Sequence, residues 1–125
     1  MATIKTEYTG NLGTSTVYPM SENPILTKAK PFGPTDLLTV SLSSCIATYI
    51  DFMAQKNKFE TPNINVEIKK TMNTDGTKVV EFDTVVNFGK EYTSEQKAII
   101  ENAAKTCPVG NSLATDIKRS YQFNY

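Results

Sequence analysis

The spacing of apolar residues changes several times along the chain, and each change marks an element. Residues 2–30 are rich in Thr, Tyr, Ile and Val, and Gly10-Asn11 interrupts them between Tyr8 and Leu12. This predicts a hairpin or meander, with a third extended piece around Ile25 to Lys30. Gly33-Pro34-Thr35-Asp36 then reads as a helix start. Pro34 suits the first helical position, where its missing N–H costs nothing, and Asp36 falls in the positive first turn. A long helix follows, because Leu38, Leu42, Cys45, Tyr49 and Phe52 or Met53 recur at alternating steps of four and three. Leu37, Val40, Ile46 and Ile50 widen that stripe, so the helix is expected to be mostly buried. The polar stretch Gln55 to Lys58 ends it.

Asn63 to Met72 alternates, with Ile64, Val66 and Ile68 on one face and Asn65, Glu67 and Lys69 on the other, as a half-buried strand does. Asn73-Thr74-Asp75-Gly76 supplies turn chemistry. Lys78 to Phe88 returns with Val80, Phe82, Val86 and Phe88 on one side, completing a hairpin. Thr93 with Gln96 forms a capping-box pattern ahead of a helix carrying Ile99, Ile100, Ala103 and Ala104, which stops near Cys107-Pro108. Pro108 can open another short helix containing Val109, Leu113 and Ile117, with Cys107 as its N-cap. Tyr121, Phe123 and Tyr125 alternate as a final strand. The elements together predict an α+β fold.

Composition and charge narrow the chemistry. A chain of 125 residues suits a single domain spanning 1–125. Thirteen basic residues balance thirteen acidic ones with no run of either sign, so no nucleic-acid or membrane partner is expected. The sequence Met-Ala-Thr-Ile-Lys-Thr-Glu lacks the apolar core of a signal peptide, and no unbroken apolar stretch of about 18 residues follows. The expectation is a soluble cytoplasmic protein. Histidine is absent, which removes Ser-His and Cys-His nucleophilic pairs and histidine metal sites. Neither Cys45 nor Cys107 belongs to a C-x-x-C, so no cofactor or metal is expected and one possible thiol pair remains.

Cys107, as an N-cap, would face unsatisfied N–H groups and the positive end of a helix dipole, both of which favour a thiolate. Cys45 lies mid-helix among Ser41, Ser43, Ser44, Ala47 and Thr48, whose small side chains leave room beside the sulfur. Its position on an apolar face fits a small buried hydrophobe as well as a reactive thiol.

Two motifs carry a resemblance. Phe32-Gly-Pro-Thr-Asp-Leu-Leu-Thr-Val-Ser-Leu-Ser-Ser-Cys45 resembles the central-helix signature of the OsmC/Ohr family, in which a proline and an acidic residue precede the peroxide-attacking cysteine. Ala103-Ala-Lys-Thr-Cys-Pro-Val-Gly-Asn-Ser-Leu113 resembles its second signature, and Tyr8-Thr-Gly-Asn-Leu12 its first turn. The resemblance implies a long buried central helix packed on a curved antiparallel sheet and an intertwined homodimer. It also implies reduction of organic hydroperoxides: Cys45 attacks and becomes a sulfenic acid, Cys107 condenses with it to a disulfide, and a dithiol reductant, often lipoyl-type, reopens the bond. Asp36 matches the acidic position of the first signature, although a helix-start role alone would also explain it.

The chain departs from this pattern in one respect that bears on mechanism. Family members hold the thiolate and the peroxide with an arginine from the N-terminal hairpin, and the subgroup most similar to this chain continues its turn Asn-Leu-Arg. Here the turn continues Asn11-Leu12-Gly13, and the one arginine of the sequence is Arg119, expected within the last helix or at its end. The histidines of that subgroup at positions matching Tyr18 and Ala114 are absent too. Lys28 or Lys30 could supply the charge, or they are solvated lysines on an edge strand. The alternative to a peroxidase is therefore a catalytically weakened OsmC-like dimer that serves as a small-ligand-binding or redox-sensing module.

Overall fold

Asn11 and Leu12 both adopt left-handed backbone angles, φ 51° and 62°, which match the twist of two flanking strands and close a tight hairpin between them. The computed structural model describes residues 3–125; Met1, and Ala2 at the start of the stretch read as extended, lie outside the described residues. Strands β1 (Lys5–Gly10) and β2 (Gly13–Val17) form the hairpin, and β3 (Ile25–Lys28) adds to β2, giving an antiparallel sheet of order β1-β2-β3. All three expected extended pieces are present. They belong to a first compact unit that ends at Leu38; Thr39–Tyr125 forms a second.

Helix α1 spans Pro34–Lys56 and begins on Pro34, as the proline at a first helical position predicts. Its buried residues are Leu42, Ile46, Ile50 and Ala54, a strict four-residue repeat. The expected stripe through Cys45, Tyr49 and Phe52 is thus rotated away from the most buried line, and Phe52 is 57% exposed. The helix is less buried than expected for this reason. By length and composition it could pass for a membrane span, but its repeat of buried aliphatic residues is that of a core helix in a folded domain.

The second sheet contains β4 (Asn65–Met72), β5 (Val79–Asn87) and β6 (Lys118–Asn124), in the order β4-β5-β6. The first two pair antiparallel as predicted, whereas β5 and β6 are parallel. A parallel return needs a crossover connection, here α2 (Ser94–Lys105) and α3 (Pro108–Asn111). Helix α2 opens on the full capping box: Thr93 accepts from the Gln96 N–H and the Gln96 side chain accepts from the Thr93 N–H.

Three local expectations need correction. The alternation puts Val80 on the apolar face of its strand, but Val79 is buried and Val80 is 36% exposed. The pairing register shifts between Thr71 and Met72, which turns the parity over at that end of the hairpin. Helix α3 is a single turn that ends at Asn111, so Leu113 and Ile117 lie beyond it. Arg119 sits in β6 rather than in a helix, opposite Phe82 in the register, and Tyr121 and Phe123 follow it on the same face opposite Thr84 and Val86.

Candidate functional site

The junction of α2 and α3 carries the site. Cys107 caps α3 with extended backbone angles, φ −62° and ψ 150°, and Pro108 occupies the first helical position. This leaves the next two N–H groups, those of Val109 and Gly110, free of helical partners. Each finds a sulfur. Gly110 N–H donates to Cys107 Sγ at 3.4 Å, and Val109 N–H donates to Cys45 Sγ at 3.4 Å. One turn of backbone thus holds both thiols, and Cys45 is near enough to act on the ionisation of Cys107. Both are free cysteines; Cys107 is fully buried and Cys45 partly exposed.

Burial is the dominant influence on Cys107. It pushes the thiol pKa up, the Gly110 N–H and the Arg119 charge pull it down, and the neighbouring Cys45 raises it again. The net direction is upward, which reverses the expectation that the helix start would favour a thiolate. A single turn has too few aligned peptides to offset the loss of solvent around the sulfur.

Cys45 opens onto a depression of about 300 Å³ lined by Thr48, Tyr49, Phe52 and Pro108, whose exposed surface is wholly apolar. Tyr49 and Phe52 stack along its wall, with ring centroids 5.9 Å apart. A larger concavity of about 490 Å³ lies over β4, β5 and β6, lined by residues that include Glu67, Lys69, Asp83 and Ser120. It contains no thiol, whereas the smaller one is lined by Cys45.

Arg119, on β6 rather than in the last helix, belongs to this cluster. Its guanidinium lies against the Cα of Gly110: a methyl group built there would overlap Nη1 and sit 3.4 Å from Cζ and 3.3 Å from Cys107 Sγ. Nη1 is buried and has no hydrogen-bond partner, and the same holds for the Tyr121 hydroxyl. Both Arg119 and Cys107 act on the ionisation of Tyr121, whose pKa is raised chiefly by burial. The sequence did contain a signal for this placement: the alternation of Tyr121, Phe123 and Tyr125 continues backwards onto Arg119.

The other candidate residues belong to the first unit. Asp36 accepts a hydrogen bond from the Gly33 N–H at 2.8 Å, which ties down the start of α1. Lys28 and Lys30 are exposed. Gly13 is buried, and a Cβ there would sit 2.9 Å from Thr9 Oγ1 and 3.3 Å from two carbonyl oxygens. The hairpin is packed for the glycine it has.

Comparison with known proteins identifies the family and the fold. The sequence matches the family described as OsmC-like protein over residues 27–121. No curated protein matches it. Among solved structures, it is similar to a protein of Psychrobacter arcticus 273-4 named for an osmotic stress induced and detoxification response. The two are 33% identical with a TM-score of 0.88, over 99% of this chain and 96% of the other. The OsmC like protein of Mycoplasma pneumoniae shares the fold at 16% identity and a TM-score of 0.82, covering 100% of this chain and 98% of the other. So does the organic hydroperoxide resistance protein OhrB of Bacillus subtilis, at 13% identity and 0.73, covering 99% and 98%. With both of its cysteine motifs inside the matched region and a relative one-third identical along nearly its whole length, this chain belongs to the OsmC-like protein family.

Proposed function

We propose that the protein is a thiol-dependent peroxidase that reduces organic hydroperoxides. The observation that carries this reading is the meeting of Cys45 and Cys107 under one turn of backbone, beside an apolar depression onto which Cys45 opens. The Cys45 thiolate attacks the outer peroxide oxygen, the O–O bond breaks, and the alcohol departs after taking a proton. Cys45 is left as a sulfenic acid. The Cys107 thiolate then attacks that sulfur, forming the disulfide and displacing hydroxide, which takes up the proton that Cys107 gave to solvent on ionising and leaves as water. A dithiol of the lipoyl type reopens the bond and closes its own. Asp36 serves by fixing the start of the helix that carries Cys45.

The chain acts as a single OsmC-like domain in a homodimer in the cytoplasm. Support for a dimer comes from the exposed apolar side chains of the first sheet and its turn, Tyr8, Leu12 and Leu26 among them, which a partner surface would cover. The test is peroxide consumption by the purified protein with cumene hydroperoxide and dihydrolipoamide. Turnover is expected, with its abolition by Cys45→Ser; no consumption with any reductant would remove the reading. A second reading, a redox-sensing module, is favoured by Gly13 at the family's arginine position. It predicts a disulfide formed once under oxidant, without sustained turnover.

A further inference from the structure

Arginine is charged at every pH at which the fold exists, so a guanidinium nitrogen buried without a partner needs an anion. Among the described residues of the second unit, Lys78 pairs with Asp116 and Lys118 with Glu81, and neither pair involves Arg119. Two acids lie beside its guanidinium: the Tyr121 phenol and, across the gap left by the absent side chain of Gly110, the Cys107 thiol, which is intrinsically the stronger acid. From this geometry we propose that Arg119 is the counter-charge of the Cys107 thiolate, a positioning residue that acts when the Cys45–Cys107 bond closes and reopens rather than in attack on the peroxide. The proposal rests on the peroxidase reading for its place in the cycle, but the charge pairing itself does not.

The chemistry gives the cation two uses. In closure, Cys107 must be the thiolate that displaces hydroxide from the Cys45 sulfenic acid. In reopening, a reductant thiolate attacks Cys45 Sγ, the S–S bond breaks, and Cys107 departs with the electron pair. A cation beside Cys107 raises the population of the nucleophile in the first step and eases departure of the leaving group in the second. Burial opposes both, since it holds Cys107 protonated, and the Arg119 charge pulls the other way. Its position on the inward face of β6, opposite buried Phe82, fixes the direction from which that charge arrives.

The test separates the two halves of the cycle. In a Cys107→Ser background, sulfenic acid formation at Cys45 after a peroxide pulse, trapped with dimedone, is expected at the same rate with and without Arg119→Met. In the two-cysteine protein, Arg119→Met is expected to slow disulfide formation roughly tenfold at neutral pH, since thiolate population falls further than nucleophilicity rises. Higher pH should restore the rate, and Arg119→Lys should recover part of it. Equal slowing of sulfenic acid formation would assign the cation to Cys45, and an unchanged disulfide rate would make Arg119 merely structural; either result overturns the proposal. If the wild-type protein forms no sulfenic acid, the peroxidase reading fails. The pairing is then decided by titrating ¹³Cβ-labelled Cys107 by NMR in a Cys45→Ser background. An upward shift of its midpoint with Arg119→Met upholds the pairing, and no shift removes it. Should Arg119→Met not fold, Arg119→Gln takes its place in every comparison.

Discussion

Gly110→Ala tests the cluster without touching a sulfur or a charge. The backbone of Gly110 tolerates alanine, because its φ is not in the left-handed region, and alanine is favoured over glycine within a helical turn by about 0.5–1 kcal/mol. The added methyl overlaps Nη1 of Arg119, which sits at the end of a flexible side chain and is the group that must yield. Because the methyl site is 3.4 Å from Cζ and 3.3 Å from Cys107 Sγ, charge and sulfur are no more than about 6.7 Å apart. At that separation and an effective dielectric near 20, their attraction is about 2.5 kcal/mol. A retreat of about 1.5 Å leaves about 2 kcal/mol, and full exposure of the guanidinium leaves almost nothing. The Cys107 pKa therefore rises. Allowing for the greater nucleophilicity of a more basic thiolate, disulfide formation slows by a factor between about two and about ten. Rapid quenching with an alkylating agent, followed by mass spectrometry of the non-reduced protein, measures this rate. Thermal stability should not fall, which separates the effect from general damage. Adding Arg119→Met should remove the effect of Gly110→Ala, since nothing would remain to displace. A variant whose crystal structure shows Arg119 displaced, yet whose disulfide forms at the wild-type rate, would refute the reasoning.

Two further outcomes follow from the same structure. Cys107, Tyr92, Tyr121 and Tyr125 all have raised pKa values, caused first by burial and for Tyr125 also by its bond to Glu101. Each stays neutral in the folded protein at a pH where the unfolded chain has ionised, so its contribution to stability is complete below the unfolded pKa, about 8.5 for cysteine and about 10 for tyrosine, and is lost as pH rises. The melting temperature should hold steady up to about pH 8 and decline above it, measurable by circular dichroism; a decline beginning only at acid pH would contradict the assignment. Phe52→Ser removes an aromatic wall from the depression beside Cys45. With roughly half the ring in contact, a loss of about 1–1.5 kcal/mol is expected, or about tenfold in kcat/KM for cumene hydroperoxide, with little change for hydrogen peroxide. Equal losses for both substrates would show that the depression does not bind the organic group.

The elements that the sequence displayed most clearly are those set by local rules. Thr93 and Gln96 are three residues apart and satisfy each other's backbone donors, so the start of α2 could be read without knowledge of anything distant. The same is true of Pro34 at the head of α1 and of the alternation in β4. Where the reading failed, a neighbour remote in sequence decided the outcome. Val80 depends on a register shift across the hairpin from Thr71. The buried line of α1 falls on Ile46 and Ile50 rather than on Cys45 and Tyr49, although both lines are apolar at helical spacing. Periodicity identifies an apolar helix more readily than it chooses between adjacent stripes.

The site divides along the same boundary. Motif and order brought Cys45 and Cys107 forward as a pair, and the cap position of Cys107 was visible from Pro108 alone. The direction of its pKa was not, because it depends on how much protein surrounds the sulfur, and that is a property of the whole fold. Arg119 shows the opposite case, a tertiary fact with a local signal. Counted back from Tyr125 in steps of two, the inward face of the last strand is Tyr, Phe, Tyr and then Arg. An arginine in such a sequence is anomalous, because a buried guanidinium is costly unless an anion meets it. Of the two acids that flank Arg119, the Cys107 thiol and the Tyr121 phenol, the thiol is intrinsically the stronger and becomes that anion first. A chain with Gly13 where its resemblance to the family implies an arginine can therefore, on the proposed pairing, still bring a permanent positive charge to its cysteine pair, from the last strand and to the other sulfur.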